Sequence, residues 1–255
     1  MKKFKFNIKR EIKLLSASVL LVFLIAFSER KQDDVTVHDL VVKLENVAEN
    51  HFLNEADILK LMKLNVENLK GASLEKINLR ELEQKIKLNR FVDDADIFRD
   101  LKGNLVVKVS LRRPIARIVR SDGPDGYVAE DGTIMPVSDD FTSRVVLLSG
   151  SYIRQLMQMQ NVNDSDEGKG LMEMLRFIEQ NNFWKAQIAQ LDMNSTARIS
   201  IYPQVGGELI EFGEPENIDV KFKKLMIYYK EILPRMGWNK YKRVNLEYEG
   251  QIVAE

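Results

Sequence analysis

The chain has 255 residues, 45% hydrophobic and 30% charged, a globular composition long enough for one large domain or two small ones. Its 38 basic and 38 acidic residues cancel, so nothing in the overall charge points to a nucleic acid or another polyanion as partner. No cysteine is present, which excludes disulfides, thiolate metal sites and cysteine nucleophiles.

The charge is unevenly placed. Residues 1–13 contain Lys2, Lys3, Lys5, Lys9, Arg10 and Lys13 against Glu11, a net of +5. The run "LLSASVLLVFLIAF", residues 14–27, follows and is apolar apart from two serines. Crossing a bilayer takes about 20 apolar residues, and Ile12 with the stem of Lys13 lengthens this run at its basic end. The expectation is a cytoplasmic tail over 1–11 and a transmembrane helix over 12–28, oriented N-inside by the leading positive charge. A cleaved signal peptide is the alternative, with Ala26-Phe27-Ser28 as a loose small-x-small cleavage site.

Beyond the charged "SERKQDD", "VTVHDLVVKLENV" from Val35 reads as a strand, with His38 inside it. A helix follows over "NEADILKLMKL", with Asn54 as N-cap and Ile58, Leu61, Met62 and Leu64 at helical spacing. A second helix starts near Asn78, with Glu81 three residues on and Leu79, Leu82 and Ile86 on one face. "FVDDADIFRDLKG" is a strand and turn, and Leu105, Val107, Val109 and Leu111 alternate as a half-buried strand does. The order is β-α-α-β-β, and it ends at Arg112, Arg113 and Pro114. Proline cannot donate to a sheet, so that triplet is an active-site loop, an anion site or a domain junction.

After Pro114 short strands alternate with the turn clusters 122–126 and Asp131-Gly132. "RVVLLSG" is a strand, "NVNDSDEGKG" over 161–170 reads as a loop, and Leu171, Leu175 and Ile178 mark a helix. Strands "QIAQLDM", "ARISIYP" and "GELIEFG" come next, the last two joined by a Gly206-Gly207 turn. A helix over 217–233 carries Phe222, Leu225, Tyr229 and Leu233. The chain closes on a strand in which Val244, Leu246 and Tyr248 alternate with Asn245, Glu247 and Glu249. The fold class is α+β: one N-terminal transmembrane helix, a β-α-α-β-β domain over 33–113, and a mixed-sheet β-domain over 114–255 with helices on one side.

Little in the chain points to catalysis. His38 and His51 lack a third ligand at metal spacing, and Asp93, Asp94 and Asp96 lack the glycine and final glutamate of a calcium loop. No phosphate-loop or serine-hydrolase motif is present. No catalytic, cofactor or metal residue is assigned, and Met157, Met159, Met172 and Met174 read as core filling.

The stretch from Gly71 to Arg117 resembles the POTRA domain of the FtsQ/DivIB bacterial cell-division family. Val92, Ala95, Ile97 and Arg99 fit its "hydrophobic–x–x–A–x–hydrophobic–x–R" strand. Leu105, Val107, Val109, Arg112, Pro114, Ile115 and Ala116 fit the "L-x-V-x-V" strand that ends in "x-R-x-P-[IV]-A". Asp131-Gly132 fits the family's hairpin, and Val244, Asn245, Leu246 and Tyr248 fit its closing strand. "YPQVGGELIEFG" and "MGWNKY" are similar to members from the Bacteroidetes group.

The resemblance makes Arg112-Arg113-Pro114 the junction between the POTRA domain and the β-domain. It implies a non-enzymatic, cofactor-free divisome scaffold in the cell inner membrane, single-pass, with its C-terminal bulk in the periplasm at the septum. Implied partners are small bitopic coiled-coil proteins of the FtsB/DivIC and FtsL type, other divisome proteins and the membrane, in support of septal peptidoglycan synthesis. The closing stretch, read as one edge strand, then offers Val244, Asn245, Leu246, Glu247, Tyr248, Glu249, Gln251 and Ile252 to a partner strand. The rival readings are a POTRA module of an outer-membrane assembly or secretion system, and an exported enzyme.

Overall fold

The computed structural model of the protein describes residues 8–32, 37–47, 50–63 and 77–255. Helix α1 (Ile8–Gln32) runs past both ends of the expected 12–28 segment. Its large apolar side chains at Ile12, Leu15 and Val19–Ile25 are 52–70% exposed. Among the described residues no helix is long and apolar enough to cross a membrane. Residues 1–7, and the side chains of 8–11, 14 and 26–32, lie outside that description, so the expected tail and span fall partly beyond it.

Contacts divide the described residues into two compact units. One lies within 1–43, 55–86 and 95–109; the other lies within 44–54, 87–94 and 110–255. The second therefore reaches back past Pro114 into the segment expected to form the first domain.

Among the described residues the elements between α1 and Pro114 are β1 (Leu40–Glu45), α2 (Glu55–Met62), α3 (Leu79–Lys87), β2 (Val92–Arg99) and β3 (Leu105–Leu111). The three strands form one sheet in the order β1-β3-β2. Val35, expected to open the first strand, and Leu64, expected in the first helix, lie outside the described residues. His38 precedes β1 rather than lying in it, and its N–H donates to the Gly103 carbonyl at 3.0 Å. Asn78 caps α3, its Oδ1 accepting from the Glu81 N–H at 3.2 Å, and the 3.6-residue repeat then buries Leu82 and Ile86. Glu83 on the same helix accepts the Ile97 N–H of β2 at 2.8 Å.

The nine strands after Pro114 are β4 (Pro114–Ile118), β5 (Gly126–Ala129), β6 (Ile134–Pro136), β7 (Val146–Ser149), β8 (Ile188–Met193), β9 (Ile199–Pro203), β10 (Leu209–Gly213), β11 (Arg243–Asn245) and β12 (Val253–Ala254). They form one mixed sheet in the order β12-β11-β10-β9-β8-β7-β4-β5-β6. The pairs β4–β7, β7–β8 and β10–β11 are parallel, and the others are antiparallel. Helices α4 (Ile153–Leu156), α5 (Asp166–Gln180), α6 (Asn182–Gln187), α7 (Ile218–Ile227) and α8 (Leu233–Met236) complete the unit, with a π-helical turn over Tyr228–Ile232.

One core holds Ile118, Leu148, Leu191, Ile201, Ile210, Phe212 and Val244 from the strands together with Leu171, Leu175, Trp184, Phe222 and Leu225 from the helices. The alternate strand positions, Leu147, Gln190, Asp192, Tyr202, Glu211 and Asn245, point to the other face and are half-buried or exposed. Helices thus cover one face. On the other, Phe52, Tyr127, Ala129 and Met135 form a separate cluster beside Phe91 and Phe141.

Two expectations are corrected here. The stretch 161–170 is only partly loop: a 3₁₀ turn spans Val162–Asp164, and α5 begins at Asp166, capped by Ser165 Oγ accepting from the Gly168 N–H at 3.0 Å. Gly168 sits so close to the turn that a Cβ there would lie 1.8 Å from the Val162 carbonyl oxygen. Helix α6 has no counterpart among the expected elements; Asn181 caps it, accepting from the Phe183 and Trp184 N–H groups at 3.0 and 3.2 Å. Leu82→Ala should lower stability by about 2–5 kcal/mol in denaturant unfolding, since it removes most of a side chain left 6% exposed. No change in the transition midpoint would show that α3 does not pack as described.

Candidate functional site

The C-terminal stretch is not one strand. Strand β11 stops at Asn245, a turn over 248–250 reverses the chain with Gly250 at φ +64°, and β12 returns antiparallel. β11 therefore has a neighbour on each side, parallel β10 and antiparallel β12, and the two-residue β12 is the edge. Arg243 and Glu255 exchange both backbone bonds, at 3.2 and 3.0 Å, and Val253 stands opposite Asn245. By antiparallel alternation the backbone groups of Ile252 and Ala254 then face away from the sheet.

The side chains divide by face. Val244 and Leu246 are fully buried in the core, so they are not partner-facing. Asn245 donates to Glu211 Oε2 at 2.9 Å, and its Oδ1 accepts the Glu247 N–H at 2.8 Å. Glu247 pairs with Arg198. Tyr248 is 57% exposed, Glu249 and Gln251 are exposed, and Ile252 is half-buried. The Lys224 ammonium donates to the Leu246 and Tyr248 carbonyls, the latter at 2.9 Å, and so fixes the start of the turn.

A cavity of about 290 Å³ lies beside the edge, lined by Glu211, Arg243, Asn245, Tyr248, Val253 and Glu255. The Arg243 guanidinium donates to Glu211, and with the Asn245 amide it holds that carboxyl below the ordinary glutamate value of 4.5. Glu211, Arg243, Val253 and Glu255 are absent from the sequence-derived set. The signal that could have found them is Gly250, which breaks the alternation and makes "QIVAE" a returning strand.

The junction residues lie elsewhere in the same unit. β3 ends at Leu111 in one sheet, and β4 begins at Pro114 in the other. Arg112 donates from Nε to Asp131 at 2.9 Å and from its guanidinium to the Arg90 and Val92 carbonyls. Arg113 pairs with Glu179 at 2.5 Å.

Residues 113–255 match the family described as FtsQ/DivIB, C-terminal related. The chain belongs to the FtsQ/DivIB family. Residues 36–110 match the POTRA-like domain, and no curated protein matches the chain. FtsQ/DivIB proteins are non-enzymatic cell-division proteins, which gives this member a scaffold role at the septal division site with divisome proteins as partners.

Glu211 supplies a pH test of this FtsQ/DivIB edge. Its folded pKa lies below the ordinary one, so its stabilisation is present above about pH 4.5 and is lost as pH falls through the folded value. Glu211→Gln should remove that part of the acid sensitivity, read as a flatter melting temperature against pH below 4.5. An unchanged profile would show that the Arg243–Glu211 pair does not hold the edge.

Proposed function

We propose that this FtsQ/DivIB member binds FtsB/DivIC-like and FtsL-like bitopic proteins by strand addition at its C-terminal edge, and so helps coordinate septal peptidoglycan synthesis. The observation that carries this reading is the two-residue β12, with outward backbone groups at Ile252 and Ala254 and the exposed Tyr248 ring beside the 290 Å³ cavity. Strand addition draws affinity from backbone bonds and specificity from alternate side chains. An aromatic anchor with one polar end suits the rim of such a groove. The partner-facing set becomes Tyr248, Glu249, Gln251 and Ile252, joined by Val253, Ala254 and Glu255.

The same proposal places a POTRA domain over 33–113 and the β-domain over 114–255. It makes α1 a single-pass anchor spanning about residues 12–28, with residues 1–11 in the cytoplasm and the bulk in the periplasm. What supports the anchor is the exposed apolar side chains of Leu15 and Val19–Ile25 behind a basic tail, since such a surface is more stable in lipid than in water.

Titrating the full chain in detergent with the extracytoplasmic segment of an FtsB/DivIC-like protein tests the edge. Ala254→Pro removes an outward N–H and should abolish binding, whereas Ala254→Val should not. Tyr248→Ala should weaken binding by about 2 kcal/mol. Unchanged affinity in Ala254→Pro, with circular dichroism showing a folded chain, would move the partner site elsewhere. For the anchor, a reporter fused after Glu255 should be active only when exported. Recovery of a mature chain starting near Glu29 would replace the anchor with a cleaved leader.

A further inference from the structure

Two cavities of about 430 and 410 Å³ lie at the N-terminal ends of the parallel strands β4, β7 and β8, far along the sheet order from β12. They share Ser143, Arg144, Val145, Glu179 and Lys185, and so form one continuous groove. Four lining cations, Arg113, Arg117, Arg144 and Lys185, meet one lining acid. That acid, Glu179, already holds Arg113 at 2.5 Å and Lys185 at 2.7 Å, and Arg113 also pairs with Glu130 outside the groove at 4.0 Å. Arg117 pairs with Asp125 just outside the groove at 3.0 Å, yet its Nε is buried with no acceptor. Arg144 is exposed and forms no ion pair among the described residues.

The groove also offers main-chain donors and an apolar floor. Residues 141–145 adopt no regular structure, and the N–H groups of Thr142, Arg144 and Val145 meet no acceptor among the described residues. Ile188 and Ala189 also line the groove. Cations, open amide donors and apolar patches in one channel match a peptide that alternates carboxylates with apolar side chains and brings its own carbonyl acceptors. A lipid headgroup would use the cations alone. We propose that this groove is a second docking site, for an extended acidic segment of a partner protein. It lies outside the β12 site proposed above and does not depend on it. Arginine clusters read acidic motifs by charge-assisted bonds, which weaken as salt screens them.

The test is fluorescence anisotropy of the full chain in neutral detergent with a labelled octapeptide alternating glutamate and valine. The glutamine–valine peptide and vesicles containing anionic phospholipid serve as comparison probes. The acidic peptide should bind, weaken steadily with added salt, and lose at least about fivefold in affinity in Arg144→Glu. Arg144→Ala, which breaks no ion pair, should lose a smaller factor, and Arg235→Glu on α8 should bind as the parent does. Equal binding of the neutral peptide, an unchanged affinity in Arg144→Glu, or binding to the vesicles but not to the acidic peptide would each overturn the proposal.

Discussion

Pro114 has no N–H to give a ladder, and the chain changes sheets at that residue. β3 finishes its pairing at Leu111, two residues cross, and β4 opens the larger sheet opposite Ala129, with a register shift before Ala116. Those two residues are held on every side. The Arg112 N–H donates to the Phe91 carbonyl at 2.8 Å, its carbonyl accepts from the Asn50 side chain, and its guanidinium reaches Asp131. The Arg113 carbonyl accepts the Glu130 N–H at 2.9 Å. Because β4 lies between β5 and β7, its register sets the hairpin on one side and the parallel strands on the other.

From that start the larger sheet buries one face under helices, and this fixes where function can reside. On the uncovered face Gln190 donates to Ser149 Oγ at 2.7 Å, which donates to Asp192 at 2.6 Å, while Asn245 and Arg243 converge on Glu211. In this part of the face the polar side chains satisfy one another. Among the described residues open backbone lies at the β12 edge, at one end of the sheet, and at the amides of Thr142, Arg144 and Val145, where the parallel strands begin. Both proposed sites draw on main-chain donors that the described residues leave unused.

Local signals in the sequence carried much of this architecture. Asn78 with Glu81 and Asp131-Gly132 each have a short-range physical cause and lie where those residues predict, and at the arginine–proline step the chain passes from one sheet to the other. Helix α5 was disguised by Gly168 and Gly170, which read as loop but are there because other backbone comes too close for a side chain. Helix α6 is six residues long and depends on Trp184 being buried against α7, which no local pattern reveals. The closing strand misled most. The alternation of Val244, Leu246 and Tyr248 continues smoothly into a turn, and the parallel pairing of β10 with β11 joins residues 34 apart in the chain, such as Leu209 and Arg243. The sequence therefore reads as one edge strand a stretch that the structure divides into β11, a turn and β12.

The most direct test of the central claim is amide hydrogen exchange on the full chain in detergent, with and without the extracytoplasmic segment of an FtsB/DivIC-like protein. A partner strand added to β12 should protect the outward amides of Ile252 and Ala254, which meet no acceptor among the described residues. The amides of Val244 and Asn245, already within the sheet, should change little. Protection that appears only in the first sheet, with exchange at 251–255 unaltered, would contradict the account.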